Sequence, residues 1–105
     1  MRDHKGSYNL SIESNNQWAV SGTISFSNVA KLESYTKKIR KNVSPQSDWI
    51  VDLNGIEQID SAGLSWILVN MRYAKKNNIN IIFKNISNPG MTRLIDAQGL
   101  SKIIK

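Results

Sequence analysis

Cysteine is absent from this chain, which excludes disulfides, zinc–thiolate clusters and thiol nucleophiles at once. Histidine occurs once, at His4 in the opening residues, leaving little for metal binding and no base to activate a serine. No run of about 18 apolar residues exists that would read as a membrane-spanning helix. The start, "MRDHKGSYNL", lacks the apolar centre of a secretory signal. Glycine-rich phosphate loops, paired carboxylates and metal-ligand spacings are also missing, and "DSAGL" is not the Gly-x-Ser-x-Gly elbow of a hydrolase. These absences predict a non-enzymatic, cytoplasmic protein without cofactor or metal.

What is present is enough for a core: 105 residues, 40% hydrophobic, read as a single domain over 1–105 with residues 1–6 flexible. The formal charge of +6 raises the possibility of a nucleic-acid partner, but the cations are scattered and no aromatic–basic recognition pattern accompanies them. Their densest run, "KKIRK" at 37–41, falls at a predicted helix C-terminus, where the dipole favours cations, and reads as a solvated helix end. Half of the eight acidic residues, Asp48, Asp52, Glu57 and Asp60, fall within thirteen positions around one segment.

Alternation of Tyr8, Leu10 and Ile12, then of Trp18 and Val20, predicts two half-buried strands over 7–13 and 17–21, joined by a turn at "SNN". Val29, Leu32, Thr36, Ile39 and Val43 recur at helical spacing, predicting a helix capped by Ser25 or Ser27 and ended before Pro45. The runs "DWIVDL" and "INIIF" read as interior strands flanking a second helix, with Asp52 and Asp60 on either side of a turn. After the loop "KNISNPG", Met91, Leu94 and Ile95 predict a short helix with Gly99 as its C-cap, and Ile103 and Ile104 an optional edge strand. The order β-β-α-β-α-β-α(-β) predicts an α/β domain with a mixed sheet, parallel in its later part.

The segment "IDSAGLS" carries the functional question. Ser61 between strand and helix reads as an N-cap, since its oxygen can accept from an unpaired first-turn amide. A phosphate there would meet the same amides and the positive end of the dipole, while the neighbouring Asp60 would repel it. Gly63 would let another backbone approach closely. At about 100° per residue, Leu64, Ile67, Leu68 and Met71 form a core stripe, whereas Ala62, Trp66, Val69 and Tyr73 form a second one opposite. That second stripe either lies under a neighbouring helix or is an exposed partner-binding patch. The aromatic pair beside a polar rim favours the patch.

The apolar strand ending in "DL", the "DSAGL" signature, the helix with a basic end, the next apolar strand and the closing "LIDAQGL" together resemble the STAS domain, named for sulphate transporters and anti-sigma factor antagonists. The upstream "AVSGTISFSNVAKL" is similar to that family's second strand and first helix. The resemblance implies a four- or five-stranded mixed sheet with packed helices. In the family's anti-sigma factor antagonists, the serine aligned with Ser61 is phosphorylated by the anti-sigma factor, a serine kinase; those proteins carry "GELD" where this chain has "GTIS". In the MlaB-like branch, the STAS subunit of a phospholipid ABC transporter that maintains outer-membrane lipid asymmetry, a Gly-x-(Leu/Ile)-(Thr/Ser)-Phe-x-x-Val pattern is matched here by "GTISFSNV". There the resemblance implies binding to the transporter's ATPase subunit through the segment Asp60, Ser61, Ala62 and Gly63 and the helix after it, and the second stripe, with Trp66, Val69 and Tyr73, fits such a contact.

Overall fold

The computed structural model describes residues 7–86 and 92–93, so the expected third helix and the pair Ile103–Ile104 lie outside the described residues except for Thr92 and Arg93. The alternating segments form strands β1 (Tyr8–Ser14) and β2 (Gln17–Ile24), an antiparallel hairpin with Leu10 opposite Val20 and Ile12 opposite Trp18. β2 runs three residues beyond the expected end because Ile24 still reaches the core and is fully buried. Gly22 makes this possible: its φ of 88° is left-handed, and a Cβ there would lie 2.5 Å from the Ser7 carbonyl oxygen.

Helix α1 (Val29–Ile39) buries Leu32 and Thr36 and is followed by one 3-10 turn, Arg40–Asn42, before Val43 enters the core. Its N-cap position is Asn28, not Ser25 or Ser27 as expected. The Asn28 side chain turns back into the loop, where Oδ1 accepts from Ser25 N at 3.0 Å and Nδ2 donates to Thr23 O at 2.8 Å. It fixes the loop rather than the helix.

Strand β3 (Asp48–Ile59) corrects a second expectation: no turn separates Asp52 from Asp60. β3 pairs in parallel with β2 along its length, and two irregularities, between Ala19 and Ser21 and between Gly22 and Thr23, absorb the extra residues on β3. Those bulges break the alternation, so the segment lacks a strand's period although Ile56 is buried. After helix α2 (Ser61–Lys76), strand β4 (Asn80–Lys84) pairs in parallel with β3, Phe83 opposite Val51.

The sheet order is β1-β2-β3-β4, a mixed sheet of the expected kind, with both parallel connections made by helices. Trp18, Val20, Ile24, Trp49, Val51, Leu53 and Phe83 from the strands meet Leu32, Leu64, Trp66 and Ile67 from the helices in one core. Trp18 and Trp49 meet edge to face at 4.7 Å inside it. α1 and α2 lie side by side, which decides the fate of the second apolar stripe.

Candidate functional site

The strand β3 ends at Ile59, and the next residue supplies the cap of α2. Asp60, not Ser61, holds the N-cap position: Oδ1 accepts from Gly63 N at 2.8 Å and Oδ2 from Phe26 N at 3.1 Å, while its own amide donates to Ile24 O at 3.2 Å. A carboxylate has two oxygens and a full charge at the positive end of the helix, so it can join two elements where a hydroxyl could satisfy one amide. Ser61 is thereby released from the cap and stands exposed as the first residue of α2.

Gly63 does permit a close approach, but the approaching backbone is the chain's own. A Cβ on Gly63 would lie 2.6 Å from Ile24 O and 2.7 Å from Ile59 Cγ1, and the residue is buried. The end of β2 sits where a partner was expected. The same closeness brings the loop after β2 beside Ser61, and at its tip Phe26 is 80% exposed. Sequence periodicity passes over Phe26 because it belongs to no stripe; its signal is an apolar residue set between serines.

Trp66 corrects the expected patch. It is 2% exposed, and its Nε1 donates to Thr36 Oγ1 at 3.1 Å, so α1 covers it. Tyr73 is half-buried on the same side: its ring meets Trp49 edge-on at 6.3 Å and lies under the Arg40 guanidinium at 4.6 Å. Arg40 in turn is buried, bonded to Asn70 Oδ1 at 2.9 Å and paired with Glu33 at 3.0 Å, while Asn70 Nδ2 donates to Trp66 O at 2.8 Å. Lys37 and Lys38 of the basic run are exposed as expected; Arg40 is the exception, drawn in by that seam.

The outward stripe of α2 is therefore a different one. Ser61, Ser65, Val69, Arg72 and Lys76 fall together at 100° per residue, all exposed except Val69, which is half-buried; Ala62 is half-buried beside them. Near the C-terminal end, Val69, Arg72, Tyr73, Lys75 and Lys76 line an open groove of about 460 Å³. α2 carries no acidic residue at all between Ser61 and Lys76.

Asp52 and Asp60 do not come together as a carboxylate pair. Asp52 and Asp60 stand eight residues apart along one chain, roughly 25 Å at strand rise. Asp52 is held below the usual carboxylate range first by Asn85 Nδ2 at 3.0 Å and then by Asn54 N at 2.9 Å, with Lys84 adding to the effect against some desolvation. Among the described residues no three or more His, Cys, Asp or Glu side chains gather around a metal position, and no helix is long and apolar enough to cross a membrane.

The fold is similar to the crystal structure of an anti-sigma factor antagonist from Mycobacterium paratuberculosis, with a TM-score of 0.72 and 22% identity over 94% of this chain and 84% of that one. At that identity the likeness is one of fold. No curated protein matches the chain in sequence. The family model of the STAS domain matches residues 13–105, from the end of β1 onward, taking in the Asp60–Ser61 junction and all of α2. Sheet order, helix placement and family model agree, and the chain belongs to the STAS domain family.

Proposed function

We propose that the chain is a non-enzymatic adaptor that binds an ATP-using protein partner through Ser61 and the outward face of α2. The observation that carries this reading is the division of labour at the helix start: Asp60 satisfies the cap, leaving an exposed serine that the fold does not need. Ser61, Ala62 and Val69 supply the contact, Tyr73 borders it, Asp60 and Gly63 shape it from below, and Trp66 supports it from the core.

The partner in the first reading is the ATPase subunit of a phospholipid ABC transporter, as in the MlaB-like branch. The loop sequence "GTISFSNV" supports it, and the loop lies against the Ser61 edge. A second reading, an anti-sigma factor antagonist controlled by phosphorylation of Ser61, is favoured by the structural neighbour of that description and by the exposure of the hydroxyl. A phosphate on Ser61 would sit at the N-terminus of α2 but beside the Asp60 carboxylate, adding like charge at the contact and weakening it.

The test is capture of the tagged protein from detergent-solubilised native cells, with mass spectrometry of what stays bound and of the intact chain. An ABC ATPase with its permease and an unmodified chain are expected for the first reading. A soluble serine kinase together with a phosphorylated Ser61 would establish the second and exclude the first.

A further inference from the structure

We propose that Phe26 is the apolar anchor of the partner contact, presented by Asp60, and that the partner's face carries an apolar pocket for its ring and an acidic edge for Arg72 and Lys76. The inference rests on reading the outward face of α2 as the partner surface, and it names the chemistry of what binds there.

Phe26 is 80% exposed, far more than Ile12 at 37% or Tyr35 at 45%, the other large apolar side chains exposed among the described residues. Burying a phenylalanine side chain is among the larger apolar gains a single residue can make, and the fold leaves most of it unclaimed. The loop that holds it is nonetheless ordered by specific bonds. Asp60 Oδ2 accepts from the Phe26 amide at 3.1 Å, Asn28 Oδ1 accepts from Ser25 N at 3.0 Å, and the Ser25 and Ser27 hydroxyls are 2.8 Å apart. The backbone at the tip is thus set before any partner arrives, which lowers the ordering cost of association.

The same Asp60 carboxylate that fixes Phe26 caps α2 through Gly63 N at 2.8 Å, so ring and helix start are presented as one surface. Hydroxyls accompany it: Ser25 and Ser27 flank it in sequence, and Ser61 and Ser65 lie on the exposed stripe of the helix that Asp60 ties to the loop. An exposed aromatic accompanied by hydrogen-bonding side chains is the composition of an interface anchor. Eleven residues beyond Ser61, about 17 Å at helical rise, the stripe becomes cationic at Arg72 and then Lys76. With no acid on α2 to neutralise them, those side chains favour an acidic edge on the partner, about that far along the helix from the Ser61 end of the contact.

The test places the photoreactive p-benzoylphenylalanine at position 26, and separately at positions 35, 65 and 72, in native cells. The expected result is a covalent adduct to a protein at 26, 65 and 72 but not at 35 on α1. The purified adduct protein should then bind Phe26→Ala about tenfold or more weaker than the parent, with an unchanged thermal midpoint. Arg72→Glu with Lys76→Glu should weaken it further and remove most of the salt dependence. Adducts at 65 and 72 with none at 26, or an unchanged affinity in Phe26→Ala, would overturn the anchor while leaving the partner surface intact. Adducts at 26 only to a second copy of this chain would overturn it as well. Adducts at none of the three α2-side positions would remove both the anchor and the function it rests on.

Discussion

Trp66→Ala separates the surface reading of α2 from the buried one. The indole is 2% exposed, and its Nε1 donates to Thr36 Oγ1 at 3.1 Å, with Leu64, Ile67 and Leu32 in the same core. Truncating a buried tryptophan to alanine costs about 3–5 kcal/mol, through lost burial and the cavity left behind. The Thr36 hydroxyl loses its donor too, although it keeps its own bond to Leu32 O at 2.7 Å. A domain of this size holds only about 5–15 kcal/mol in total, so the variant should lose a large part of its stability. At about 4–8 °C per kcal/mol, its thermal midpoint should fall by at least about 12 °C. Trp66→Phe keeps much of the ring volume and gives up the hydrogen bond, so its loss should be near 1–2 kcal/mol. Urea unfolding followed by tryptophan fluorescence, which Trp18 and Trp49 still supply in both variants, measures all three proteins. If Trp66→Ala unfolds within about 1 kcal/mol of the parent yet loses its partner, the ring is a surface contact and the reasoning fails.

Two further outcomes follow from the same geometry. Gly63→Ala gains about 1 kcal/mol of helix propensity but sets a methyl 2.6 Å from Ile24 O, a backbone atom that cannot swing aside; overpacking of about 1–3 kcal/mol should win, and a variant more heat-stable than the parent would contradict the close approach. Asp52 has a lowered pKa in the fold, so its bonds to Asn85 and Asn54 stabilise the protein above about pH 4 and fade as the pH falls through the lowered value. The urea midpoints of parent and Asp52→Asn should therefore differ more at pH 7 than at pH 2, and a gap independent of pH would refute the assignment.

The periodic parts of the chain are legible in the sequence itself. Tyr8 and Leu10, then Trp18 and Val20, announce their strands by alternation, and the apolar runs around Val51 and Ile82 announce theirs as interior strands, although Ile12 of the first stays exposed. The residues from Asn54 to Ile59 do not, because two bulges displace the alternation that marks a strand. The helix α2 is legible as a helix with two apolar stripes, and its Ser61 edge as the place to look. Which stripe faces outward is not, because periodicity sorts side chains by angle around the axis and says nothing of what stands opposite.

Sequence alone determined the family, the order of strands and helices as far as β4, and the junction at Asp60 and Ser61, all of which rest on local pattern and short motifs. Tertiary structure alone decided that α1 covers Trp66, that Arg40 is drawn under Asn70 and over Tyr73, and that Asp60 rather than Ser61 caps the helix and holds Phe26. Each of those joins residues about thirty positions apart or chooses between adjacent polar neighbours. The choice is made by which groups the folded chain brings within hydrogen-bonding reach, and no local pattern records that distance.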